Sequence, residues 1–249
     1  MVKLSFTAQN PMPILHEPVV VDFTIENGLS ESLSFDLGHD RTGNFEFTIT
    51  RPDGSVVRPP RLNPEGLGRL GKMTLAPGQS YIQRLLLNRW LEFAQPGEYR
   101  IDAALAGNFT RGTGGPVQTE RAAAINLRIL PANPQVLEKI SEQLAATATA
   151  GNAATAIDAS VALSHVQDPV AVPQLVMALQ DGIRQVQRNA ASGLAGIANR
   201  PAIEALIARL KTGDAELSDY IRVLLRGVRS KTVDREIQTM IDAALKGSG

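Results

Sequence analysis

Side-chain catalysis requires a nucleophile beside a base, a matched acid–base pair, or a metal held by convergent ligands. The 249-residue chain offers three histidines, His16, His39 and His165, and no cysteine. Without cysteine there is no disulfide scaffold, thiolate zinc site, iron–sulfur cluster or thiol nucleophile. No histidine has a second one at helical spacing, so the paired-histidine zinc motifs are absent. Gly38-His39-Asp40-Arg41 follows an apolar strand and reads as a polar loop, in which a metal or triad role would need partners from elsewhere. His16-Glu17 precedes the most regular strand in a solvated position. His165 stands where Gly196 stands in the next copy of a helical repeat, and packing accounts for it. Gly112-Thr113-Gly114-Gly115-Pro116 is glycine-rich, but a phosphate cradle needs a helix N-terminus behind it. An alternating strand from Ala123 comes next instead, which makes this a hairpin loop. Nucleophile-elbow, P-loop and dinucleotide fingerprints are absent, and Asn108-Phe109-Thr110 matches a glycosylation sequon of the kind that arises often by chance. The sequence predicts no enzyme, no cofactor and no metal site.

Twenty-five basic residues balance twenty-five acidic ones, so no net field recruits nucleic acid, anionic lipid or acidic substrate. Arg222, Arg226 and Arg229 share one helical face, and Arg184 and Arg188 form a similar pair. A neutral region with a single tyrosine lacks the aromatic interleaving of a nucleic-acid binder. A solvated face, or salt bridges to Asp219 and Glu216, is the expectation. No apolar run approaches the roughly 20 residues that span a bilayer. The first ten residues lack a basic, then apolar, leader. That favours the cytoplasm if Met1 is the natural start; if Met1 was added to a mature chain, a periplasmic or secreted origin is equally compatible.

Any interaction surface must then be positioned by the elements, and these change character near Pro131. Ten of eleven aromatic residues precede it, whereas 22 of 31 alanines lie beyond it. Aromatic and β-branched residues with Pro/Gly turns favour sheet, and alanine with leucine favours packed helices. Two domains are expected, residues 1–131 and 134–249. In the first, Val19, Val21, Phe23 and Ile25 alternate with polar residues and stop at Asn27-Gly28. Phe45, Phe47 and Ile49 do the same before Arg51-Pro52-Asp53-Gly54. Further strands run from Tyr81, Tyr99 and Ala123, and near Lys3–Thr7 and Leu33–Phe35. About seven strands joined by turns predict an antiparallel β-sandwich. Leu75-Ala76-Pro77-Gly78-Gln79-Ser80, Trp90 and Pro96-Gly97-Glu98-Tyr99-Arg100-Ile101 resemble the closing strands of bacterial immunoglobulin-like modules, and in particular those of intracellular proteinase inhibitor-like domains. The resemblance implies an immunoglobulin-like sandwich.

Asn133 is placed to cap a helix that Pro134 opens, and Val136, Leu137, Ile140 and Leu144 mark that helix as the cap of a helical array. Leu163, Leu194 and Leu225 are spaced by 31 residues, as are Val166, Ile197 and Val228. Two more columns, Leu175/Leu206/Ile237 and Leu179/Leu210/Ile241, keep the same period. Gly182 and Gly213 stand one period apart as helix-ending glycines. A fixed period of this length means stacked units, here about three helix pairs. Val186-Gln187-Arg188-Asn189-Ala190-Ala191 with Leu194, and Asp181 upstream, resembles the short bacterial HEAT-like repeat of the phycobilisome-lyase type. Gln187 stands where that family usually has arginine, which removes one repeat-to-repeat contact. The resemblance implies a short α-solenoid that binds proteins. The expected function is a non-enzymatic interaction or scaffold protein with an unidentified protein partner, contacted through Gln174, Met177, Glu204, Arg209 and Glu236 on the second helices. The alternative is a proteinase inhibitor acting through a sandwich loop, Gly107 to Pro116 or Pro59 to Gly71.

Overall fold

The computed structural model describes residues 1–62, 71–106, 109–117, 124–212 and 214–246, apart from the side chain of Asp40. The chain divides into two compact units, one of residues 1–15 and 19–131, the other of residues 16–18 and 132–249.

In the first unit the alternating segments become strands, because each must bury one face and expose the other. β1 (Val2–Ala8), β2 (Val20–Asn27) and β7 (Ser80–Leu86) form a sheet in the order β1-β2-β7. β4 (Phe45–Thr50), β5 (Val56–Val57), β8 (Gly97–Leu105) and β10 (Ile125–Ile129) form a second, in the order β10-β8-β4-β5. β3 (Leu33–Asp36), β6 (Lys72–Leu75) and β9 (Thr110–Arg111) form a third, β6-β3-β9. Every pairing between these strands is antiparallel. The inward residues of the three sheets meet in one core, with Phe23, Ile25, Leu33, Phe45, Ile101 and Leu127 fully buried. Aromatic edges seat on faces there: Phe23 on Phe45 at 4.9 Å, Phe47 on Trp90 at 5.0 Å and Phe93 on Tyr99 at 5.1 Å between ring centroids.

All seven anticipated strands are present over their described residues; Ala123 lies outside them. The three additional ones are β6, of four residues, and β5 and β9, whose two residues each are too short to carry a period. His39 opens a single 3-10 turn, His39–Arg41, so the polar loop read there is a tight turn. His16 is half-buried with a left-handed backbone, φ 72°, rather than solvated.

The second unit holds α1 (Pro134–Ala150), α2 (Ala153–Ser164), α3 (Val172–Ala178), α4 (Arg184–Ile197), α5 (Arg200–Thr212), α6 (Ala215–Lys231) and α7 (Arg235–Lys246). Side-chain oxygens cap successive starts: Asn133 accepts from the Val136 amide, Asn152 from Thr155, Asn199 from Ala202, Asp214 from Leu217 and Asp234 from Ile237. Such caps satisfy amides that the helix leaves unpaired. α2 packs on α4 and α4 on α6, while α1 packs on α3, α3 on α5 and α5 on α7, which makes two rows of helices. Eleven of the twelve residues in the four apolar columns are buried, and Ile197 is half-buried. Gly193 lets the rows close: a Cβ there would stand 2.8 Å from a Leu175 methyl and 2.9 Å from the Ser164 Cα. Gly182 does not end a helix. α3 stops earlier, at Ala178, and the left-handed C-cap is taken by Ala198, φ 51°, whose N–H donates to the Leu194 carbonyl. Gly213 lies outside the described residues.

The columns carry the stability of this unit. Leu194→Ala, at a fully buried column position, is expected to cost about 2–5 kcal/mol in urea unfolding. Val233→Ala, at a residue 95% exposed, is expected to stay within about 0.5 kcal/mol.

Candidate functional site

The five second-helix residues fall into two environments. Met177 on α3 is 55% exposed, whereas Gln174, one turn earlier, is half-buried and its Oε1 has no hydrogen-bond partner among the described residues. Arg209 is also half-buried; its Nη1 reaches the Thr212 carbonyl at 3.5 Å, and its Nε has no partner among the described residues. Glu204 and Glu236 are exposed, and one cation joins them. Arg200, the first residue of α5, donates from Nε to Glu204 at 3.0 Å and from Nη1 to Glu236 on α7 at 2.6 Å. Those two carboxylates hold the Arg200 guanidinium above its usual pKa, the Glu204 hydrogen bond most strongly. Arg200 is the residue the sequence reasoning missed. Its i, i+4 spacing to Glu204 was the available signal.

Four arginines of the other row are paired in a similar way. Arg184 binds Asp214 and Glu216, Arg188 reaches Glu216, Arg222 binds Asp219, and Arg229 grips Asp242 through two bonds of 3.0 and 3.1 Å. Gln187, where the repeat family has arginine, is buried and donates to the Asp181 carbonyl. Contacts between repeats come from its neighbours instead. Asn189 Nδ2 donates to Ser160 Oγ at 2.8 Å, Ser192 and Tyr220 share a 2.7 Å bond, and the Arg188 guanidinium lies 4.4 Å from the centre of the Tyr220 ring.

In the first unit the β6-β3-β9 sheet bears a shallow groove of about 300 Å³. The register places Thr74 opposite Ser34 and Ser34 opposite Thr110, with Asp36 opposite Lys72 in the next polar row. Three hydroxyls and an opposite-charge pair can hydrogen-bond a polar ligand. Of the loops considered for protease contact, residues 63–70 and 107–108 lie outside the described residues, as does Asn108 of the sequon. Within the other loop, Thr113 Oγ1 donates to Glu31 at 2.6 Å, and that bond holds the Glu31 carboxyl below its usual pKa. His165 ends α2 half-buried. Among the described residues no group of three His, Asp or Glu side chains is placed to hold a metal ion, and no helix is long and apolar enough to cross a membrane.

Comparison with known families divides at the same places. Residues 8–129 match the N-terminal domain of flagellar collar protein C, and residues 186–212, from α4 through α5, match the PBS lyase HEAT-like repeat. The second unit therefore contains a HEAT-like repeat region, of a kind often used for protein contacts. The family matched over the first unit is the collar domain rather than an inhibitor-like one. Neither matched family is catalytic. No curated protein is significantly similar to the chain. Among solved structures, an ApaA protein from Bordetella pertussis is 14% identical, over 52% of this chain and 92% of its own, with a TM-score of 0.32. The alkylpurine DNA glycosylase AlkC of Pseudomonas fluorescens is 12% identical over 52% of this chain and 30% of its own, with a TM-score of 0.29. Spo0M, a sporulation control protein of Bacillus subtilis, is 12% identical over 57% and 55%, with a TM-score of 0.25. Likenesses at these scores carry no functional weight.

The carboxylates give the second unit a defined acid response. Asp214 is held below the usual carboxylate pKa mainly by the Leu217 amide it caps, and Asp242 mainly by its bond to Arg229. A folded-state pKa below the unfolded one adds stability that is present above the unfolded pKa and is lost as pH falls through the folded value. The melting midpoint should therefore drop on acidification from neutral into and below the ordinary carboxylate range. Asp214→Asn keeps a capping oxygen without the charge, and should flatten that dependence in a pH series of thermal melts; a slope as steep as that of the parent chain would count against it.

Proposed function

We propose that the chain is a non-enzymatic assembly protein, with a β module of the flagellar-collar type joined to a HEAT-like solenoid that docks a protein partner. The observation that carries this reading is the collar-domain match across residues 8–129, which covers nearly all of the first unit, together with a repeat region of a protein-binding type in the second. In this reading the first unit is an immunoglobulin-like sandwich of residues 1–131. Its strand orders β1-β2-β7 and β10-β8-β4-β5 have the pattern of the two sheets of such domains. Tyr99, near the start of β8, donates its hydroxyl back to the Gln95 carbonyl at 3.0 Å, the corner contact that recurs in them. The solenoid spans residues 134–249, with α1 as its cap. Its docking face is the row of second helices that carries Gln174, Met177, Glu204, Arg209 and Glu236, with Arg200 joining Glu204 to Glu236. A neutral chain whose arginines are mostly paired to its own carboxylates is suited to a protein partner rather than a phosphate backbone.

The full chain, tagged and recovered from its source cells, should co-purify with flagellar basal-body proteins as read by mass spectrometry. A variant carrying Met177→Glu, Arg209→Glu and Glu236→Arg, with an unchanged melting midpoint, should lose at least one of them. Retention of every partner by that variant would move the docking face off the second helices. Recovery of a protease that the chain slows, with no flagellar protein, would replace the assembly reading with the inhibitor one.

A further inference from the structure

We infer that Asn27-Gly28 is a deamidation site that folding holds off and unfolding releases, so that a chain which has once opened is chemically marked and hindered from returning. It is the chain's sole Asn-Gly pair. In an extended chain the main-chain nitrogen of the following residue attacks the asparagine Cγ, and glycine, with no side chain, hinders that approach least. The Gly28 N–Cγ bond forms and the Cγ–Nδ2 bond breaks. Nδ2 leaves as ammonia, carrying the proton lost from the Gly28 amide. Water then opens the succinimide ring at either carbonyl, to give aspartate or isoaspartate at position 27. The balance is one water consumed and one ammonia released, with no oxidant or cofactor.

The fold occupies every group this reaction needs. Asn27 is 1% exposed. Its Nδ2 donates to the Glu31, Leu75 and Ala76 carbonyls at 3.0, 3.0 and 3.1 Å, and its Oδ1 accepts from the Leu29 amide at 3.1 Å. The attacking nitrogen is held too, since Gly28 N–H donates to the Met1 carbonyl at 3.1 Å. Turning that nitrogen onto Cγ requires these bonds to break and water to enter, so the native rate is the unfolded rate scaled by the open population. The labile pair is also one the fold keeps in place: a Cβ at position 28 would stand 2.5 Å from the Met1 oxygen. Either product opposes refolding. An aspartate would aim a carboxylate at three carbonyl oxygens that had accepted N–H bonds. An isoaspartate would lengthen the main chain where the Asn27 N–H meets Gln79 and its carbonyl meets Gly78.

The test is peptide mapping of the full chain, with isoaspartate detection, after parallel incubation at mildly alkaline pH in native buffer and in urea. Residue 27 should be the first asparagine to convert in urea, and should convert at least about a hundredfold more slowly in native buffer. The fraction that regains the native melt after dilution should fall in step with conversion. Asn27→Asp, which installs one product directly, should melt below the parent chain. Equal rates in the two buffers, earlier conversion of another asparagine, or an Asn27→Asp chain with the parent's melting midpoint would each overturn the proposal.

Discussion

One buried amide decides where the β unit passes from one sheet to another. At the end of β2 the chain leaves the β1-β2-β7 sheet, and at the end of β6 it leaves the β6-β3-β9 sheet. Neither end continues its ladder: the Leu75 carbonyl lies in a buried setting there, beside the part-buried Glu31 carbonyl and that of Ala76, which also accepts from the Gln79 amide. A buried carbonyl left unpaired costs about 1–3 kcal/mol. The Asn27 side chain donates to all three and accepts from the Leu29 amide, while its own main chain bonds Gly78 and Gln79. Leucine of similar volume would satisfy none of them, and aspartate would reverse the sign. With the corner fixed, Leu75 pairs opposite Leu33 and both turn into the core, which gives the four-residue β6 a register that its sequence alone does not specify.

The helical unit is held by repetition instead. No single helix pair can cover its own apolar face, and stacking on the neighbouring pair supplies the cover. Its exposed ion pairs add little to this, because exposed charges gain little from pairing in water. Half-buried polar contacts set the spacing: Asn189 with Ser160 between α2 and α4, and Ser192 with Tyr220, under Arg188, between α4 and α6. The repeat family's usual arginine is absent at Gln187, and a different pair of side chains does the same work at each junction.

The parts legible in the sequence were those with a period. Alternation disclosed seven of the strands, and the 31-residue columns disclosed the helix pairs with their buried residues. The parts that stayed hidden depend on side chains that meet from distant segments. β5 and β9, of two residues each, have too few for a pattern, and Asn27-Gly28 reads as an ordinary turn although Asn27 is among the most bonded residues of its unit. The same limit applies to the surface. Glu204 and Glu236 were legible as exposed positions, but that one arginine ties them across two helices is a consequence of the approach of α5 to α7.

That tie bears on how the second-helix face could bind. Arg200 is more than half exposed, and so are both of its carboxylate partners. Such a cluster is pre-positioned by its own pairs, yet surrenders little when one carboxylate is exchanged for another. A partner presenting an acidic side chain could replace Glu236 on Arg200 and free Glu236 for a basic group in return, keeping every charge paired throughout. Met177, exposed on the same row, offers the adaptable apolar contact that charge exchange lacks. On the proposed docking role, charge placement on this face would set specificity, and binding strength would have to come from the apolar area covered around Met177.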